Sequence, residues 1–80
     1  MRLFVGNLAY KARESDLKTA FEDYGTINEI HIPRERETKM SKGYAFIDID
    51  FFSPISPETL SGIMIMNRAV RVNLANERNR

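Results

Sequence analysis

The sequence predicts an α+β fold of two layers, in which a four-stranded antiparallel sheet carries two helices on one face. Four segments alternate between apolar and polar residues, the period of a half-buried strand, at residues 2–6, 27–32, 43–49 and 69–74. A segment between the first two strands has helical spacing, and a shorter one between the last two begins with helix-capping residues. The resulting order, β-α-β-β-α-β, leaves the other face of the sheet, the open face, without helices.

The first strand occupies residues 2–6 and sorts its side chains onto two faces. Leu3 and Val5 share one face, and Phe4 takes the other. We therefore expect Leu3 and Val5 in the core and Phe4 on the open face. The following residues, 7–13, are expected to form a loop.

The first helix is predicted over residues 14–24. Glu14 and Asp16 lie in its first turn, where acidic groups favour the positive end of the helix dipole. Gly25 follows the last periodic residue and suits a left-handed C-terminal stop. Four residues spaced i, i+3, i+4 and i+7 give the helix one apolar stripe for the core: Leu17, Ala20, Phe21 and Tyr24.

The second and third strands are joined by a long polar hairpin. In the second strand, residues 27–32, His31 falls on the face opposite to the isoleucines at 30 and 32, and Pro33 ends the strand. Residues 34–41 form the connection. The third strand, residues 43–49, alternates most clearly. Its aliphatic residues face the core, and the open face receives Tyr44, Phe46 and Asp48.

The region between the third and last strands carries weaker signals. Ser56 is a candidate N-cap and Pro57 a candidate first residue of a short second helix that runs to about Ser61. The apolar residues 63–66 predict a short strand or turn at the core edge; alternatively, their methionines belong to a protein-contact patch. Asn67 tolerates the left-handed backbone expected before the last strand.

Composition limits the classes of function. Eighty residues correspond to one domain, 1–80, and a net charge of +1 is weak for a nucleic-acid binder. Because there is no cysteine and only one histidine, we expect no disulfide, no metal site and no cofactor. No apolar run approaches the roughly 20 residues that span a bilayer, so no membrane association is expected. An intracellular, reducing compartment is favoured.

Three aromatic side chains are predicted to share the open face: Phe4, Tyr44 and Phe46. Exposed rings on a sheet indicate a binding surface, and their flat sides suit flat ligands such as nucleic-acid bases. Lys42 lies beside this group and could meet a phosphate. Unpaired bases are available in single strands and not in duplexes, so a single-stranded nucleic acid is the expected partner.

Two segments carry a resemblance to a known family. Residues 3–8 (LFVGNL) resemble the hexapeptide on the first strand of the RNA-recognition motif (RRM) family, and residues 42–49 (KGYAFIDI) resemble its octapeptide on the third strand. The resemblance extends from Arg2 to Ala75 and implies the ferredoxin-like fold. Ile49 departs from the pattern, because an aromatic residue is usual there; its phase points it into the core.

The resemblance implies roles for particular residues. Phe4 and Tyr44 would each stack a base, Phe46 would pack against sugars or between nucleotides, and Lys42 would pair with a phosphate. Further candidates for contacts with bases or phosphates are Arg34 and His31, Arg71 and Asn73 on the last strand, and Arg78 and Arg80 at the C-terminus.

The expected function is binding of a short single-stranded RNA by stacking on the open face, by a monomer. Single-stranded DNA is an open alternative ligand, because contacts to the 2′-hydroxyl are not visible in a sequence. A protein-interaction module on the same fold is the alternative function, although the intact aromatic set favours RNA. An enzyme is not expected, because the open face offers no nucleophile beside a base and no glycine-rich phosphate cradle.

Overall fold

The computed structural model describes residues 1–75. Four strands form one antiparallel sheet in the order β2-β3-β1-β6, and a separate two-stranded hairpin lies at one side. This topology confirms the predicted ferredoxin-like sheet. The elements in chain order are β1 (Arg2–Gly6), α1 (Glu14–Phe21), β2 (Gly25–His31), β3 (Tyr44–Phe51), a 3₁₀ helix (Pro57–Leu60), β4 (Met64–Ile65), β5 (Arg68–Ala69) and β6 (Arg71–Leu74).

The core lies between α1 and one face of the sheet. Leu17 and Phe21 of α1 are fully buried there. The strands contribute every second residue, as the alternation predicts: Leu3 and Val5 from β1, Ala45, Ile47 and Ile49 from β3, and Val72 from β6. Each of these is wholly buried, so the strand phases fix which side chains remain for the open face.

Helix α1 is shorter than the predicted span. It begins after Arg13, whose backbone N–H donates to the carboxylate of Asp16 at 2.9 Å and so satisfies a group at the helix start. The helix ends at Phe21, three residues before the expected end. Tyr24 was predicted in the buried stripe, and this was wrong: its side chain is exposed in the turn that follows the helix.

Gly25 has a different role from the predicted one. Its backbone is not left-handed; it is the first residue of β2 and pairs with Phe51. A Cβ at Gly25 would lie 2.8 Å from the carbonyl carbon of Asp50 and from the Cα of Phe51. Glycine is therefore required by the close approach of β3, and not by the backbone angle.

The predicted second helix is only a single 3₁₀ turn, which corrects the expected pair of helices. Ser56 precedes it and Pro57 is its first residue, as the capping signals indicated. Its backbone bonds span three residues, from the N–H of Thr59 to the carbonyl of Ser56. Gly62, at φ +101°, then turns the chain too soon for an α-helix to extend.

The chain after the 3₁₀ turn runs along the outer side of β6. The Gly62 N–H donates to the Val70 carbonyl at 2.8 Å, and the Val70 N–H donates to the Ile63 carbonyl at 2.9 Å. The Ser61 hydroxyl accepts from the Val72 N–H at 2.7 Å and donates to the Val72 carbonyl at 3.0 Å. These four bonds occupy the backbone groups of Val72 in β6, and of Val70 just before it, that point away from β1.

The hairpin β4–β5 turns through Met66 and Asn67, both with positive φ. The prediction that Asn67 adopts the left-handed conformation is confirmed. The short strand expected within residues 63–66 is β4; its Ile65 is buried, whereas Met64 is exposed.

Between residues 1 and 75, no helix is long and apolar enough to cross a membrane.

Candidate nucleic-acid interface

Three aromatic rings form a triangle on the open face. The Phe4 and Tyr44 ring centroids are 5.8 Å apart with an interplanar angle of 26°. Phe46 lies 5.8 Å from Phe4 and 5.9 Å from Tyr44, with its ring turned by 64° and 84°. All three side chains are half-buried, so each ring is supported by the sheet and still offers surface to solvent. Rings this close support one another and present one continuous aromatic surface.

Strand register explains why these rings meet. Phe4 pairs directly with Phe46 across β1 and β3, and Gly6 pairs with Tyr44. Because Gly6 has no side chain, the Phe4 ring leans over its position: a Cβ there would lie only 2.9 Å from the Phe4 Cε2. Gly6 therefore makes room for the Phe4 ring next to Tyr44.

Polar side chains lie at both ends of the central row of the sheet. His31 on β2 pairs with Phe46, and Asn73 on β6 pairs with Phe4. The row therefore reads His31, Phe46, Phe4, Asn73 across four strands. His31 and Asn73 are exposed and carry groups that can donate or accept hydrogen bonds at the edges of a stacked base. Arg71 pairs with Gly6 in the adjacent row and is also exposed.

Arg2 belongs to this surface, although the sequence reasoning did not select it. Its guanidinium carbon lies 5.3 Å from the centroid of the Phe46 ring, a cation–π distance. A signal was present, since Arg2 precedes Phe4 by two residues in the same strand and so shares its face. The contact between Arg2 and Phe46 was less predictable, because Phe46 lies on β3 and comes close to Arg2 only through the pairing of β3 with β1.

The open face is electrically polarised along the strands. One end, the acidic end, carries Glu29, Asp48 and Asp50, where Glu29 and Asp48 are direct cross-strand neighbours. The N-terminal amine lies 3.4 Å from Asp48 Oδ1 and offsets part of this charge. The other end, the basic end, carries Lys42 and Arg71, with Arg68 of the β4–β5 hairpin beside them; all three are exposed. At the acidic end Arg2, which pairs with Asp48, and the N-terminal amine offset part of the negative charge, so the basic end is the one that favours a polyanion most.

Arg34 is engaged with the helix. Its Nη2 lies 2.9 Å from Glu14 Oε1, and its Nη1 donates to the Lys39 carbonyl at 3.4 Å. The pKa of Glu14 is lowered, first by a hydrogen bond to its backbone N–H and then by Arg34. The predicted phosphate contact of Arg34 stays a prediction, and one that would require this ion pair to open. Arg78 and Arg80 lie outside the described residues.

In the part of the chain that the structure describes, no three histidine or acidic side chains are grouped so that they could hold a metal ion. The sequence profile of the RNA recognition motif matches residues 3–71, which includes both aromatic segments. The chain belongs to this family.

Similar proteins support the assignment to the RNA recognition motif family. RbpD of Nostoc sp., named as a candidate RNA-binding protein, is 40% identical over 80 residues, covering 98% of this chain and 85% of RbpD. The crystal structure of RNA Binding Protein PG1 superposes with a TM-score of 0.78 at 29% identity, over 100% of this chain and 99% of that one. A Sxl-lethal protein/RNA complex gives a TM-score of 0.77 at 30% identity, over 98% of this chain and 48% of that protein.

Proposed function

We propose that this RNA recognition motif binds a short stretch of single-stranded RNA on its open face. The observation that carries the proposal is the triangle of Phe4, Tyr44 and Phe46, with centroids 5.8–5.9 Å apart on a surface that no helix within residues 1–75 covers. Stacking one base on an aromatic ring contributes about 1–3 kcal/mol. Phe4 and Tyr44 each receive a base, and Phe46 packs against the sugars between them.

Hydrogen-bonding groups beside the rings supply selectivity. Asn73 and His31 flank the central row and contact the edges of the stacked bases, as the register with Phe4 and Phe46 supports. Lys42 and Arg71 neutralise phosphates at the basic end. A binding role agrees with the RNA recognition motif family, to which the chain belongs.

The charge distribution supports a short footprint. Asp48 and Asp50 lie four and six positions after Tyr44 in β3, about 13 and 20 Å along the strand. At physiological ionic strength these distances are about one and a half and two and a half Debye lengths, each about 8 Å. Phosphates at the basic end are thus largely screened from the acidic end, whereas a strand that extended along β3 in the other direction would pass over Asp48 and Asp50. We therefore expect two to four nucleotides and a shallow salt dependence, with a slope of about −0.7 for each phosphate neutralised.

The test is a titration of labelled single-stranded RNA pools into wild type and into the Phe4→Ala/Tyr44→Ala/Phe46→Ala variant. Loss of two stacked bases is expected to weaken binding at least about 30-fold. The matched control is Phe52→Ala, which removes an aromatic ring that is 68% exposed beyond the end of β3. Circular dichroism and urea unfolding establish that each variant is folded.

A second variant separates ring chemistry from bulk. Leucine at all three positions keeps an apolar surface but removes the π-face, so it is expected to bind RNA as poorly as the alanine variant. A single-stranded DNA of matched sequence tests for contacts to the 2′-hydroxyl. If folded alanine and leucine variants bind RNA as well as wild type does, stacking is not the mechanism, and docking of a protein on this face becomes the better explanation.

A further inference from the structure

We propose that Tyr10 provides an additional stacking position beside the sheet, so that the bound strand continues from Tyr44 into a hollow between Tyr10, Lys42 and Arg68. This inference rests on the proposed function, since it extends the same site by one nucleotide. Tyr10 lies in the loop after β1, and 65% of its side chain is exposed. An exposed ring next to a stacking surface is a candidate for a further base.

Tyr10 adjoins the triangle of rings through Gly43. The Tyr10 Cε1 lies 3.8 Å from the position that a Cβ of Gly43 would take, and Gly43 directly precedes Tyr44. Gly43 has φ +98°, so it turns the chain where β3 begins, without placing a side chain between the two tyrosines. A strand that leaves Tyr44 across Gly43 would therefore reach the Tyr10 ring.

Backbone bonds hold the loop of Tyr10 in place. The Leu8 N–H donates to the Gly43 carbonyl, and the Ser41 N–H donates to the Tyr10 carbonyl, both at 2.9 Å. The buried Ser41 hydroxyl also donates to the Ala9 carbonyl at 3.1 Å and accepts from the Gly43 N–H at 3.1 Å. Two loops are thereby tied together, so little ordering of the backbone is needed when a ligand binds.

Two hollows flank the Tyr10 ring, and their charges distinguish them. The first, about 180 Å³, is lined by Asn7, Leu8, Tyr10, Lys42, Gly43 and Arg68. The second, about 260 Å³, is also lined by Tyr10 and Lys42 but includes Glu35. Both are smaller than pockets that enclose a drug-sized ligand, roughly 300–1,000 Å³. The first contains two cations and no carboxylate, so it is the one that suits the phosphate of a nucleotide whose base stacks on Tyr10.

Arg68 is positioned for a phosphate by hydrogen bonds to Asn7. Its Nη2 lies 2.7 Å from Asn7 Oδ1, and its Nε lies 3.3 Å from the Asn7 carbonyl oxygen. The Asn7 amide also donates to the Ala69 carbonyl at 2.9 Å, which fixes the hairpin β4–β5 against the end of β1. Within residues 1–75, neither Arg68 nor Lys42 is within ion-pair distance of a carboxylate. Both charges are therefore free to neutralise phosphates.

The experiment measures how affinity changes with RNA length. Fluorescein-labelled random-sequence pools of two to seven nucleotides are titrated into wild type, Tyr10→Ala and Tyr10→Phe. The gain in affinity from the shortest to the longest pool is expected to fall by about 5- to 150-fold in Tyr10→Ala, the effect of one lost stacked base. Tyr10→Phe keeps the ring and is expected to restore the gain. Tyr24→Ala, which removes another exposed tyrosine, is the matched control.

Two further variants test the phosphate contacts. Lys42→Gln and Arg68→Gln are each expected to make the salt slope for the longest pool shallower by about 0.7. If the length dependence in Tyr10→Ala equals that of wild type, the additional position does not exist, although RNA binding by the sheet stands. If wild type binds no pool of any length, the proposed function itself fails, and the two failures are thereby distinguished.

Discussion

Replacing Gly6 by alanine tests the architecture of the stacking surface without removing any ring. The new Cβ would lie 2.9 Å from the Phe4 Cε2, whereas carbon atoms pack best at about 3.5–4.0 Å. The ring edge must therefore move by about 0.6–1.1 Å, the difference between these distances. Phe4 is half-buried, so its ring has room to tilt towards solvent.

The magnitude follows from the rotation that this movement requires. A side chain about 30° away from its rotamer costs about 0.5–1.5 kcal/mol. If a stacked base requires the original ring position, the strain energy of the displaced Phe4 ring is added to the free energy of binding. The affinity for RNA should then fall by about 2- to 12-fold. Because the ring is free to tilt in the unbound protein, the free energy of unfolding should fall by less than about 1 kcal/mol.

Two measurements on the same protein sample decide the result. Fluorescence anisotropy with a labelled RNA pool gives the dissociation constant, and urea unfolding gives the stability. A Gly6→Ala protein that is folded and binds RNA with wild-type affinity would refute the reasoning, because Phe4 would then not need its observed position. A large loss of stability would also contradict it, since the clash would be with the backbone and not with a movable ring.

Three further substitutions address stability. Gly25→Ala places a Cβ against the backbone of Asp50, so thermal unfolding should show a loss of about 1–3 kcal/mol; an unchanged midpoint would disprove the close approach. Ser61→Ala removes the partner of both Val72 backbone groups and should cost about 1–3 kcal/mol, whereas threonine should retain most of it. Glu14 has a lowered pKa in the folded state, so its contribution is present above its ordinary pKa of 4.5 and is lost as pH falls through the folded value. Glu14→Gln should therefore destabilise by at most about 1 kcal/mol at pH 7, and the effect should shrink progressively as the pH is lowered below 4.5, measured by urea unfolding.

The sequence was sufficient for the strands and for the aromatic triangle because the strand period is strict. Once Leu3 and Val5 are assigned to the core, Phe4 has to lie on the opposite face. The same reasoning places Tyr44 and Phe46 on the open face, and it would also have placed Arg2 there. The face on which a strand residue lies depends only on the two-residue period of the strand, so it was predictable from the residues of that strand alone.

Features that depend on distant contacts were not predictable. Gly25 looked like a helix stop, because nothing in its neighbours reveals how closely Asp50 approaches. The ion pair between Arg34 and Glu14 joins residues twenty apart in the chain. The prediction of a second α-helix was wrong for a local reason. Capping residues indicate where a helix starts, but they do not distinguish a single 3₁₀ turn from an α-helix, and here Gly62 ends the turn.

The way in which residues 61–63 follow β6 has a consequence for self-association. Unpaired strand edges invite pairing with another chain, which leads to strand exchange and aggregation. At the β6 edge, Val72 and the preceding residue Val70 already have their outward backbone groups bonded to Ser61, Gly62 and Ile63. The opposite edge, β2, contains an irregularity between Ile27 and Glu29, which disturbs the regular spacing that an added strand needs. Both edge strands of the sheet therefore discourage pairing with a second copy of the chain, even though the open face presents aromatic rings for RNA.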